Sequence, residues 1–196
     1  MSSIQTSQHD IVAGRDNAGG DIIYENSHNQ NINVILSGGD SPIQAWMASL
    51  EHEISTNKQV IHFIDTLQMY YEKHSHDGID GLVDKLKHSG RSSESEINLA
   101  LRKKELFTKL LAKYSMFDSA QQIFAYLLSK LEEDFRALVL PNLSGQSIGA
   151  VDQLFSEYLI GPCAKEIKAG VFCLNSAIAA GMVYWLAEQC YIRWHP

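Results

Sequence analysis

From Ile43 onward, apolar residues recur at spacings of three and four; before residue 41 they come only as isolated pairs or triplets between polar runs. The first pattern is that of amphipathic helices. Ser41-Pro42 opens it, with Pro at the first helical position, where its missing N–H costs nothing. Ile43, Trp46, Met47, Leu50 and Ile54 make one stripe, and Val60, Ile64, Leu67 and Tyr71 a second beyond Ser55-Thr56-Asn57, as one bent helix or two. A loop at His74-Ser75-His76-Asp77-Gly78 precedes a short helix from Ile79 to Lys87 that Ser89-Gly90 ends. Glu94 to Tyr114 reads as a long helix with Leu99, Leu106, Phe107, Leu110, Leu111 and Tyr114 facing in and Arg102, Lys103, Lys104, Lys109 and Lys113 facing out. Asp118 with Gln121 resembles a capping box, and the helix behind it carries Ile123, Phe124, Leu127, Leu128, Leu131, Phe135 and Leu138 before Pro141 stops it. Another helix spans about Ile148 to Ile160 and ends at the breaker pair Gly161-Pro162. Cys163 to Lys168 is a short helix, and the C-terminal helix comes after it. With no βαβ alternation, residues 41–196 are expected to form an all-α, compact multi-helix domain.

The most apolar of these stretches is the last, Ser176 to Trp194. Asn175 or Ser176 can cap it. Behind the cap, Ile178, Met182 and Trp185 lie on one face, with Ala179, Val183, Leu186 and Cys190 beside them, so the helix is apolar on most sides and must be buried. Ala179, Ala180 and Gly181 would let another backbone approach closely. Tyr184, Trp185, Tyr191 and Trp194 bring large surfaces that need packing. Met182, Trp185 and Trp194 are the residues expected to supply either the core or an anchoring subunit contact.

Residues 1–40 differ in kind, being rich in Gly, Asn, Asp, Ser and Gln. Gly19-Gly20-Asp21 returns as Gly38-Gly39-Asp40, and Ile11-Val12, Ile22-Ile23 and Val34-Ile35-Leu36 punctuate the polar runs. Such a tail is either a disordered linker or a set of short strands with Gly/Asn/Asp turns. The β-branched pairs favour strands ordered against a partner or a second copy, with Gly14, Asp16, Gly20 and Asp21 at the turns.

Composition narrows the function classes. A net charge of -7 and a pI near 5.6 argue against a general phosphate-backbone binder. The residues Arg102, Lys103, Lys104, Lys109 and Lys113 form the one basic stripe, more economically read as a solvated face than as a nucleic-acid contact. Cys163, Cys173 and Cys190 are an odd number without framework spacing, so buried thiols in a reducing cytosol are expected and no disulfide. The N-terminal residues lack the pattern of a signal peptide, no segment has the apolar length of a membrane span, and the protein is read as cytoplasmic. His74, His76 and Asp77, with His88 nearby, look like a metal clip but lack a completing ligand pair. Cys173, Cys190 and His195 invite a nucleophile or metal reading, yet no orienting acid stands at defined spacing. Ala13-Gly14-Arg15-Asp16 to Gly20-Asp21 meets neither nucleotide fingerprint. No metal, cofactor or catalytic residue is therefore assigned.

Several short motifs carry a family likeness. Gly81-Leu82 with Lys85-Leu86, Gly90-Arg91, Lys104-Glu105-Leu106-Phe107, Phe117-Asp118-Ser119-Ala120-Gln121, Pro162, Gly181-Met182-Val183-Tyr184-Trp185-Leu186 and Cys190-Tyr191-Ile192-Arg193-Trp194 together resemble the helical C-terminal domain of the bacterial ABC-three-component systems. Val12-Ala13-Gly14-Arg15-Asp16 and Gly19-Gly20-Asp21-Ile22 are similar to the Gly/Asp-rich leaders found ahead of such domains and of other bacterial defence modules. The resemblance implies a place in a three-gene operon with an ABC or SMC-like ATPase, a small middle component and an effector, in antiphage or antiplasmid defence; Lamassu belongs to the same broad grouping. In many members the helical domain is joined to a nuclease. The tail of about 40 residues has no room for one, and Tyr191 stands where the family's C-terminal motif carries His.

The resemblance and the residues together lead to the expectation of a non-catalytic assembly subunit, oligomerising through its tail by strand addition and binding an ATPase or effector through its helical body. The alternatives are a nucleic-acid adaptor using Arg102 to Lys113, and a small enzyme with a pocket around Cys173, Cys190 and His195.

Overall fold

The structure, a computed structural model, describes residues 42–74, 78–166, 172 and 175–196. Gly14, Asp16, Gly20 and Asp21 of the tail lie outside these residues, as do His76, Asp77 and Cys173. Among the described residues every regular element is helical: α1 (Pro42–Ser55), α2 (Asp65–Met69), α3 (Gly81–His88), α4 (Glu94–Tyr114), α5 (Asp118–Asp134), α6 (Ile148–Leu154), α7 (Gly161–Glu166) and α8 (Ser176–Glu188). The first stripe is thus α1, whereas of the second only Leu67 falls within a helix, α2; Val60, Ile64 and Tyr71 lie outside it.

Three of the helices stop in the same way. A residue with positive φ stands just past each end, and its own N–H and the one after it fold back onto the last carbonyls. After α1 the turn is at Asn57 (φ 51°), with Lys58 N–H donating to the Glu53 carbonyl at 2.9 Å. After α3 it is Gly90 (φ 84°), with Arg91 N–H on Leu86 O at 2.9 Å. After α8 it is Cys190 (φ 71°), with Tyr191 N–H on Leu186 O at 2.9 Å. Cysteine is an uncommon choice there, because its Cβ crowds the backbone in that conformation.

The helix starts are less uniform. Asn175 caps α8, its Oδ1 accepting from the N–H groups of Ala177 and Ile178 at 2.9 and 3.2 Å, and Ser147 caps α6 through Ala150 N–H at 3.3 Å. The expected Asp118/Gln121 capping box is not formed. Phe117 occupies the N-cap position of α5 without a side-chain cap. Gln121 is drawn inward instead: its Oε1 accepts from Ile64 N–H at 2.6 Å and its Nε2 donates to the carbonyls of Ser115 and His62 at 2.8 and 3.1 Å. Buried amide groups need partners more than an exposed helix start does.

Pro141 and Pro162 each sit behind a widened turn. Phe135–Val139 and Phe155–Ile160 are π-helical, directly before Leu140-Pro141 and Gly161-Pro162. A proline cannot donate to the carbonyl four residues back and its ring collides with it; a π turn displaces those carbonyls. Gly161-Pro162 is therefore no breaker, and the chain passes through it into α7 with Gly161 in helical geometry (φ -63°). A Cβ at Gly161 would come within 2.9 Å of the Ser156 carbonyl oxygen.

Helix α8 is the centre of the domain. Nine of its residues, from Ile178 to Ala187, are buried, and its main partner is α4. The approach is close because Gly181 has no side chain: a Cβ there would overlap the Lys103 carbonyl oxygen and lie 3.0 Å from the Phe107 Cβ. Aromatic rings pack around the crossing, with Phe107 edge-on to Trp185 at 5.8 Å and to Phe124 at 5.9 Å. Leu99, Leu106 and Leu138, expected inside, are instead exposed. On α4 the inward positions are Ala100, Phe107 and Leu111, a face beside the Leu99–Leu106 line.

Candidate functional site

Helices α3 and α8 cap each other. The N-cap residue of α3, Asp80, makes no side-chain cap; the Leu82 N–H is met by the Glu188 carboxylate, at the far end of the chain, at 3.1 Å. Glu188 also receives Lys104 Nζ at 3.2 Å and lies 3.9 Å from Lys73 Nζ. Burial pushes the Glu188 carboxyl up, but the Leu82 N–H and the Lys104 and Lys73 charges outweigh it and hold it below the usual carboxylate range. In return, Lys85 of α3, 1% exposed, donates to the Ala187 carbonyl at 3.1 Å, placing its charge at the negative end of α8.

A cleft of about 890 Å³ opens beside this pair, with Tyr70, Lys85, Glu132, Arg136, Cys190 and Tyr191 on its walls. Its polar groups are largely engaged with one another. The Tyr70 hydroxyl donates to Glu132 Oε2 at 2.9 Å, Arg136 Nη2 meets Glu132 Oε1 at 2.6 Å, and the Tyr191 hydroxyl donates to the Met69 carbonyl at 2.8 Å. Burial, reinforced by the Glu132 and Glu72 charges, pushes the Tyr191 phenol up to about 12; burial likewise raises Tyr70. Neither is a ready acid or base near neutrality.

The two described cysteines, Cys163 and Cys190, differ in kind. Cys163 is buried, and burial pushes its thiol up to about 12. Cys190, expected to be buried, is half-exposed at the cleft because the positive-φ turn after α8 carries it out of the helix. Its sulfur faces the Asp80 carboxylate and the Glu188 carbonyl, each at 3.9 Å. The His195 ring packs against His88 instead, centroids 4.8 Å apart, so a carboxylate rather than an imidazole stands at the thiol. Among the described residues no group of three or more His, Cys, Asp or Glu side chains could hold a metal ion.

The three apolar candidates, Met182, Trp185 and Trp194, all lie in the interior. Trp194 is held between Phe155 (5.0 Å, stacked) and Tyr184 (5.7 Å), with the Arg91 guanidinium 6.0 Å from its ring centre. Arg91 is anchored by the Asp152 carboxylate. Sequence reading missed this clasp, Lys85 and Glu188, since nothing local marks residues whose partners stand as much as a hundred positions away.

The five basic residues of α4 do not share one face. Arg102, Lys109 and Lys113 are exposed, whereas Lys103 and Lys104 are half-buried and Lys104 is committed to Glu188. Lys109 pairs with Glu105 at 2.6 Å, and Lys113 lies 4.9 Å above the Tyr114 ring. On the same helix Leu99 and Leu106 are each 49% exposed.

Among the described residues no helix is long and apolar enough to cross a membrane. No curated protein and no solved structure matches the chain. A protein-family comparison does: residues 81–194, which begin at the mutually capped α3 and close at the clasped Trp194, match C-terminal domain 9 of the ABC-three component (ABC-3C) systems. These residues are more than half of the 196, and the chain belongs to that family.

Proposed function

We propose that the chain is a non-catalytic interaction subunit of a bacterial ABC-three-component defence complex in the cytoplasm, binding an SMC-like ATPase or an effector through its helical domain and self-associating through its N-terminal tail. One observation carries the non-catalytic part. The strongest candidates for chemistry are spent on holding the fold: Glu188 on the Leu82 N–H, Lys85 on the Ala187 carbonyl, Glu132 on Tyr70 and Arg136. Among the described residues, what remains outward is apolar and charged surface rather than a reacting constellation. The tail, with its Gly14-Arg15-Asp16 and Gly20-Asp21 turn signals, has the composition for strand addition.

Two measurements test this. Co-expression with the ATPase and effector components should give a complex that survives size-exclusion chromatography; separate elution from both at micromolar concentration would refute subunit docking. The solution mass of the full chain, beside that of a chain starting at Ser41, tests the tail: an oligomer reduced to a folded monomer supports it, and two monomers refute it.

A further inference from the structure

We propose that the exposed flank of α4 is the docking surface for an acidic amphipathic helix of a partner protein. This rests on the helical domain being a subunit-docking module, and adds the face and the chemistry. Leu99, Lys103, Leu106, Leu110 and Lys113 succeed one another at spacings of four, three, four and three, the core spacing of a two-helix seam. They line one edge of α4, about 21 Å long at 1.5 Å per residue, with Leu99, Leu106 and Lys113 exposed, Lys103 half-buried, and Leu110 half-buried against the core. The neighbouring face, Ala100, Phe107 and Leu111, is buried in the domain. Leu99 and Leu106 are thus surplus to the core, yet they stand one heptad apart and half-exposed, where knobs for a second helix belong.

Charge selects the occupant. Arg102 and Lys109 border the seam at the flanking heptad positions that face a partner's flanking residues, and Lys103 and Lys113 lie within it. Two carboxylates adjoin this group of four cations: Glu105, which pairs with Lys109, and the exposed Glu96, three residues before Leu99 on the same edge. A chain of net charge -7 therefore carries a local surplus of positive charge around these leucines. A second copy of the same face would set cations against cations. Nucleic acid would gain nothing from half-exposed leucines, and lipid insertion is opposed by the lysines within the seam. A helix with leucines on one edge and glutamates beside them satisfies both features.

The test uses the full chain and a fluorescein-labelled helical peptide of three heptads, with Leu at the seam positions and Glu flanking them, beside a twin with Lys for Glu. The acidic peptide should bind at least about tenfold tighter than its twin, a difference that shrinks as salt rises. Leu106→Glu should weaken binding at least about tenfold with an unchanged melting curve. The double variant Arg102→Glu/Lys109→Glu should reverse the preference in favour of the Lys twin. Equal binding of the twins, or indifference to Leu106→Glu, overturns the proposal; so does Leu106-dependent binding of phosphatidylserine vesicles or low-salt duplex DNA in place of the acidic peptide. If the unmodified chain co-elutes with its ATPase or effector and Leu106→Glu still does, docking stands and this face is wrong. If the unmodified chain co-elutes with neither, the docking function itself fails.

Discussion

Replacing Gly181 by alanine tests the organisation of the domain with a single methyl group. The new Cβ would overlap the Lys103 carbonyl oxygen, lie 3.1 Å from the Lys103 carbonyl carbon and 3.0 Å from the Phe107 Cβ. Carbon atoms prefer separations of about 3.5–4.0 Å. Two of these neighbours are α4 backbone, which no rotamer change can move, so α4 and α8 must part. Overpacking of this kind costs about 1–3 kcal/mol, and a rigid backbone neighbour places Gly181 at the upper end. Against that, alanine is favoured over glycine inside a helix by about 1 kcal/mol. The net expected loss is about 2 kcal/mol, or roughly 4–8 °C in melting temperature for a chain of this size. Urea unfolding followed by circular dichroism measures it, with the slope unchanged and the midpoint lowered. Gly149→Ala in α6 is the internal control: a Cβ there meets nothing within 4 Å, so the same change should raise stability by about 0.5–1 kcal/mol. A Gly181→Ala protein as stable as the parent would refute the close crossing of α4 and α8.

Cys190→Gly relieves the positive-φ turn after α8 and should raise the melting temperature by a few degrees, while Cys190→Val, whose branched side chain tolerates that geometry least, should lower it; the opposite order would refute the strain. Glu188 has a depressed carboxyl, so its contribution is fully present above its unfolded value near 4.5 and is lost as the pH falls through the folded value. Urea midpoints between pH 6 and pH 3 should therefore drop less steeply for Glu188→Gln than for the parent, and parallel curves would remove Glu188 from that role. Iodoacetamide treatment and peptide mapping should find Cys190 modified in the folded protein and Cys163 unmodified until global unfolding, since Cys163 is buried with its thiol raised to about 12.

The sequence is legible where the forces are local. Periodicity places α4 at Glu94–Tyr114, the short side-chain oxygen of Asn175 marks the start of α8, and the small residues Ala179 to Gly181 announce a close backbone approach that Gly181 then makes. Periodicity fails where two apolar lines lie on one helix: Leu99 and Leu106 repeat as regularly as Phe107 and Leu111, and only the position of α8 decides which line is buried. Propensity fails at Gly161-Pro162, because π turns absorb the proline, and at Gln121, because a loop about sixty residues upstream competes for its amide. The chemistry-bearing pairs, Glu188 with Leu82 and Lys85 with Ala187, were beyond reach because each half is unremarkable until the fold joins them.

The mutual capping of α3 and α8 also sets an order of events. An eight-residue helix is too short to persist alone, and α3 finds its missing acceptor and its countercharge on residues made about a hundred positions later. During synthesis, at about 5–20 residues per second, α3 must wait several seconds for Glu188 to be added and to clear the ribosome. Until then Leu82 and Leu86 have no α8 to pack on. The domain closes as one late event, and a truncated product lacking α8 should present an open, apolar core to the cell's proteases and chaperones.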